Sequence, residues 1–140
     1  INITAPDGWS KADTSIRGYR TILMMSEQEG PSDMFKENIN VLAETIGTMN
    51  MDSYWDLTVK NMEKMLTNYK LKEVKEITVD GEAAKSLDYT HEMQGYKIDV
   101  NAVVVIKGGK AYVITSSIEG GKMEKWRKDI DKTVASFHVD

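Results

Sequence analysis

Four strand-like runs follow one another through the second half of the chain, and the joints between them limit what the chain can fold into. The runs cover residues 74–79, 82–91, 96–107 and 110–117. Asp80-Gly81 separates the first two and Gly108-Gly109 the last two. Such pairs between strands carry type I′ hairpin chemistry, because both central residues need positive φ, which Gly, Asn and Asp tolerate best. The middle joint, residues 92–95, reads as a longer turn. These runs therefore predict an antiparallel meander. In its third strand, Tyr96, Ile98, Val100, Ala102, Val104 and Ile106 alternate with Lys97, Asp99 and Asn101, and then Val103 and Val105 make the second face apolar too. A strand that is apolar on both faces is covered on both faces.

A helix is expected directly after the meander, over residues 122–135. Met123, Trp126, Ile130 and Val134 fall on one stripe, with Phe137 just beyond it. Earlier in the chain, Trp55, Val59, Met62, Leu66 and Tyr69 recur at helical spacing, which predicts a helix capped by Asp52 and running to Asn68. Short strands are expected over residues 1–5, 19–25 and 38–44. The polar stretch 10–18 and the segment 27–36 read as loops. Residues 70–79 are charged, and their apolar spacing slips between Val74 and Ile77, so a bulge or an exposed edge is expected there.

The 140 residues suit one domain spanning 1–140, large enough to bury a core without staples. A net charge of −4 with both signs dispersed argues against a nucleic-acid partner, which would select a basic patch. Cysteine is absent, which excludes thiol catalysis, disulfides and thiolate metal sites. The first residue is Ile1 rather than Met. The chain is therefore read as trimmed, its leader removed, with a signal peptide as one candidate for the missing part.

The order of these signals resembles the PsbP-like family, whose fold is shared by the eukaryotic Ran-binding nuclear import factor. The resemblance rests on the opening Pro6-Asp7-Gly8-Trp9, on Asn38-Ile39-Asn40-Val41, and on Tyr54-Trp55 at the start of a helix. It continues through Asp80-Gly81-Glu82-Ala83-Ala84, Leu87-Asp88-Tyr89 and Ala111-Tyr112-Val113-Ile114-Thr115, ending in a helix and Ser136-Phe137. It implies an α+β fold: an antiparallel sheet of about six or seven strands with helices packed on both faces. Bacterial members of the family resemble secreted or lipid-anchored envelope proteins, and plant and cyanobacterial members assist the oxygen-evolving photosystem. No feature here singles out the photosystem role, and no functional residue is carried over. The implied location is extracytoplasmic or periplasmic, with membrane contact only through a removed N-terminal anchor.

Candidate chemistry is sparse. His91 and His138 are the only histidines. His91 with Glu92 supplies two ligands where a metal site needs three or four. Nine methionines include Met24-Met25 and the pair Met49 and Met51, soft thioethers in principle suited to Cu(I), but Met also fills irregular gaps in cores. A Ser/His/Asp set can be written down from Ser116 or Ser117, His91 and Asp88, yet the nucleophile-elbow pattern G-x-S-x-G is missing. Asp52 reads as a helix cap rather than half of a carboxylate pair with Asp56. No phosphate-binding glycine motif is present.

The expected function is therefore a noncatalytic envelope binding or assembly module, without metal or cofactor, that engages a protein partner. Trp9, Glu27, Glu29, Asp33 and Phe35 are the candidate contact residues, because an aromatic and a long acidic loop flanked by strands are common contact features. Two rival expectations are a small-ligand carrier, with an apolar cavity near Trp9 or Phe35, and a hydrolase using carboxylates and His91.

Overall fold

The computed structural model describes residues 1–16, 19–27 and 36–140. Seven strands and two helices follow in the order β1 (Ser10–Ile16), β2 (Tyr19–Met25), β3 (Asn38–Thr45), α1 (Met51–Met65), β4 (Thr67–Val79), β5 (Glu82–Met93), β6 (Tyr96–Lys107), β7 (Lys110–Glu119) and α2 (Met123–Ala135). The strands form one antiparallel sheet ordered β1-β2-β3-β7-β6-β5-β4. The expected α+β sheet with helices on both faces is what the chain builds.

The turns set the register. Asp80 and Gly81 have φ of 53° and 75°, and Gly108 and Gly109 have φ of 61° and 74°, as type I′ geometry demands. The middle joint differs from expectation. Met93 pairs with Tyr96, so Gln94 and Gly95, with φ of 51° and 82°, make a third two-residue turn. Glu92 and Met93 belong to β5 because they continue the ladder past His91, opposite Lys97 and Tyr96.

β6 lies near the centre of the sheet and is sealed on both sides. Ile98, Val100 and Ala102 join Leu87 and Tyr89 in a cluster against Trp55, Met62, Leu66 and Tyr69. Val103 and Val105 point the other way. They pack with Ile22, Met24, Ile39, Val41, Ile114, Ile130, Val134 and Phe137 beneath α2. The two helices therefore cover opposite faces. The predicted stripe of α2 is the one that is buried: Met123, Ile130 and Val134 are buried and Trp126 is half-buried.

Four expectations need correction, and a fifth, for β4, is met in part. Residues 10–16, read as loop, form edge strand β1. Its described side chains are polar or small and exposed, so no apolar alternation marks it, and the cross-strand Arg20–Asp13 pair at 2.6 Å helps hold it to β2. Residues 1–5 make only the isolated bridge Asn2↔His138, although Ile3 is buried in the core. The first helix is capped by Asn50, whose Oδ1 accepts from the Ser53 backbone N–H at 2.9 Å, and Asp52 sits in the first turn instead. That helix ends at Met65, so Leu66 and Tyr69 reach the same apolar cluster from extended backbone rather than from a helical face. β4 is the expected exposed edge strand, and it is bulged, but the irregularities fall between Thr67 and Lys70 and between Leu71 and Glu73 rather than after Val74.

Candidate functional site

The register of the meander brings polar residues together on the face under α2. Glu73 lies opposite Asp88, and Asp88 opposite Asn101; Lys75 and Ser86 are the next pair along. Asn101 is only 4% exposed, and the other buried residues of its strand are all aliphatic. Its side-chain amide donates at 2.9 Å to both Ser86 Oγ and Asp88 Oδ1. From α2, Arg127 reaches across and donates to both carboxylate oxygens of Asp88, at 3.3 and 3.2 Å. A two-pronged guanidinium–carboxylate contact fixes orientation as well as charge. It anchors the polar side of α2 to the sheet, while Met123, Ile130 and Val134 anchor its apolar side.

Beside this pair, α2 leaves the outer strands β4 and β5 uncovered, and a cleft opens. It consists of two adjoining cavities of about 530 and 450 Å³, and both are lined by Glu73, Asp88, Glu124 and Arg127. The larger also takes in Lys75, Asn101 and Asp131; the smaller takes in Lys72, Thr90 and Asp99. Five carboxylates and three cations line the whole, and the Asp88 charge is already met by Arg127. The unmatched character of the cleft is acidic.

A second polar cluster closes the C-terminus. Asp80, in the first hairpin turn, accepts from the Val139 backbone N–H at 3.0 Å and from Lys107 Nζ at 3.2 Å, and pairs with His138 Nδ1 at 2.7 Å. These contacts hold the Asp80 carboxyl well below its usual range, the His138 hydrogen bond contributing most. The same bond, with the Asp80 charge, raises the His138 imidazole above its ordinary value of 6.5.

On the opposite face, a groove of about 330 Å³ runs beside α1, lined by Tyr54, Leu57, Met62, Met65, Leu66 and Tyr89 among others. Tyr54 donates to Glu44 Oε2 at 3.1 Å. Burial first, and then the Glu44 charge, push its phenol up to about 12. Burial also pushes the Tyr89 phenol up to about 12. Neither tyrosine is set up to exchange a proton near neutrality.

The catalytic alternative does not assemble. Asp88 and Ser116 face α2, whereas His91, three residues beyond Asp88 in the same strand, faces the other way beside Tyr89 at 6.0 Å between ring centroids. Ser116 Oγ is buried with no hydrogen-bond partner. Asp52 is paired with Lys85 at 3.8 Å and is largely exposed. Among the described residues no group of three His, Asp or Glu converges to hold a metal ion. Of the candidate contacts, Trp9 is half-buried and packs edge-to-face on Trp126 at 5.4 Å, and Glu27 is exposed. Glu29, Asp33 and Phe35 lie outside the described residues. Trp9 lines none of the cavities above.

Sequence reading missed Arg127 and the joining of Asp88 to Asn101. The missing signal was the third tight turn. Once Gln94-Gly95 is taken as a two-residue loop, Met93 faces Tyr96 and counting back sets Asp88 opposite Asn101.

A seven-stranded antiparallel sheet with one helix on each face defines a protein of the PsbP-like fold. The model of the DcrB family matches residues 3–136, and the chain belongs to that family. Solved structures of the same fold include PA94 of Pseudomonas aeruginosa, a protein of unknown function. It has 17% identity and a TM-score of 0.77, with 96% of this chain and 88% of that one covered. LpqN of Mycobacterium tuberculosis, involved in cell envelope biogenesis, has 16% identity and a TM-score of 0.70, over 95% of this chain and 79% of that one. Cyanobacterial PsbP (CyanoP) of Synechocystis has 18% identity and a TM-score of 0.70, over 99% and 85%. No curated protein matches the sequence.

Proposed function

We propose that this protein is a noncatalytic binding module of the cell envelope that holds a basic segment of a protein partner in the cleft between α2 and the β4–β5 edge. One observation carries the reading. Around the paired Asp88 and Arg127, and beside Glu73 with its neighbour Lys75, the cleft presents Glu124 and Asp131, an acidic rim. Carboxylates in a partly enclosed site favour Lys or Arg side chains, and the fixed Arg127 repels those that do not find the rim. The envelope setting is supported by the likeness in fold to LpqN. No helix among the described residues is long and apolar enough to cross a membrane.

The test is an amide-resolved NMR titration with two short peptides, one Lys/Arg-rich and one Asp/Glu-rich. The basic peptide is expected to shift signals of Glu73, Asp88, Asn101 and Arg127, and to lose that effect in a Glu124→Lys/Asp131→Lys variant. Equal responses to both peptides, or shifts elsewhere, would overturn the reading. Cell fractionation of the full-length gene product tests the location, and a purely cytosolic product would remove the envelope part.

The small-ligand reading has its own observation, the groove beside α1 with exposed Leu57 and Met65 on its rim. An apolar fluorescent probe displaced by Leu57→Lys would support it, and a probe that never binds would remove it.

A further inference from the structure

The outer strand β4 is 13 residues long, lies at the edge of the sheet, and leaves Leu71 50% and Val74 44% exposed. A long edge strand carries a row of unpaired backbone groups, and proteins commonly blunt it with charge. The charges here have a pattern of their own. Lys72-Glu73 precedes Val74 and Lys75-Glu76 follows it, so the signs reverse about Val74.

We propose that β4 pairs antiparallel with β4 of a second copy of this chain, about a two-fold axis at Val74, joining the two sheets into one. In that register Val74 meets Val74 and Glu73 faces Lys75 of the second copy, twice over by the two-fold, while Lys72, in the bulge before Glu73, falls outside the matched run. A two-fold axis perpendicular to the sheet keeps the α2 faces of both copies on one side. Glu73 and Lys75 both lie on that face, as their own contact at 3.7 Å shows, and so meet their mates there. Opposite charges at directly opposed positions stabilise a strand pair and like charges oppose it.

Neighbouring registers fail on the same test. An axis at Glu73 sets Glu73 against Glu73, and one at Lys75 sets Lys75 against Lys75. An axis between two residues is excluded by the pleat itself, because it would oppose side chains that point to different faces. The bulge between Leu71 and Glu73 ends the regular ladder, so the matched run is short and the association is weak and reversible. The interface is isologous, each copy giving the same patch. Glu73 and Lys75 also line the cleft, but Val74 lies on the sheet face away from it, opposite Leu87, so cross-linking through position 74 reads the β4 pairing separately from the cleft.

Directly opposed residues have Cα atoms about 4.5–5.5 Å apart, within disulfide reach. The chain has no cysteine, so Val74→Cys introduces a single reporter. Under mild oxidation it is expected to give a covalent dimer far faster than Lys70→Cys, whose two copies would lie roughly 26 Å apart in this register. In sedimentation runs over a concentration series, Glu73→Lys or Lys75→Glu is expected to weaken association at least about tenfold. The double exchange Glu73→Lys/Lys75→Glu restores it. Cross-linking of Val74→Cys no faster than of Lys70→Cys, a wild-type chain that stays monomeric throughout, or single reversals that leave association unchanged would each overturn the proposal.

Discussion

Removing Asp88 and Arg127 separately and together measures how firmly α2 is tied to the sheet through the cleft. The contact is two-pronged at 3.2 and 3.3 Å, with the Arg127 and Asp88 side chains 30% and 20% exposed. At a separation near 4 Å and an effective dielectric constant of about 20, two unit charges attract by roughly 4 kcal/mol. Partial desolvation of both groups and the ordering of a long side chain cancel most of that, and the remaining exposure lets water screen the pair. The net coupling is expected at about 1 kcal/mol. Asp88→Ala also strands the guanidinium and takes one of two acceptors from the Asn101 amide, so it should cost about 2–3 kcal/mol. Arg127→Ala leaves Asp88 with the Asn101 donor and water, and should cost about 1–2 kcal/mol. The double variant should fall short of the sum by the coupling, about 1 kcal/mol. Equilibrium urea unfolding of the four proteins at equal slope measures all of these values. Strictly additive losses would refute the reasoning, because they would mean that the pair is fully screened and that packing alone positions α2.

Other expectations concern the core, the turns and the tail. Ile130→Ala empties a fully buried position under α2 and should lower stability by about 2–5 kcal/mol in the same unfolding assay. Gly120→Ala would set a methyl group 2.7 Å from the Lys97 carbonyl oxygen, across a backbone hydrogen bond that cannot yield, and should cost about 1–3 kcal/mol in a thermal melt. In the tail, His138 is raised, so its contribution is complete below its ordinary 6.5 and disappears as pH rises through the folded value. Asp80 is lowered, so its contribution is complete above its ordinary 3.8 and disappears as pH falls through the folded value. The stability difference between wild type and His138→Ala should therefore be largest between those two ordinary values. An NMR titration should show the His138 midpoint falling toward 6.5 in Asp80→Asn, and an unmoved midpoint would refute the pairing.

The elements legible in the sequence were those whose local chemistry and burial agree. Asp80-Gly81 and Gly108-Gly109 mark turns because only a few residues accept their backbone, and α2 shows one apolar stripe because one face is buried. Strand β1 was hidden because its described side chains are all exposed, so it is held by ladder bonds and the Arg20–Asp13 pair rather than by an apolar pattern. The end of α1 was misplaced because Leu66 and Tyr69 keep helical spacing while entering the core from extended backbone, so spacing alone could not distinguish the two routes. The cleft depends on residues far apart in the chain. Asp88 and Asn101 become partners only through the register of a turn, and Arg127 only through the placing of α2.

The strand order also divides the sheet. β1, β2 and β3 are neighbours in sequence and in space, as are β4 to β7, and β3 against β7 is the single joint between the two blocks. The second block closes through three two-residue turns, so its pairings require little loop-closure entropy and form early. The β3–β7 joint brings together strands with α1 and the rest of the meander between them, and it forms late. The expected folding order is therefore the four-stranded meander first and the β1–β3 block second, with the core under α2 completed only when the two meet. The same joint is the line along which the native molecule opens first, and the amides of β1 to β3 should exchange with solvent ahead of those in β5 and β6.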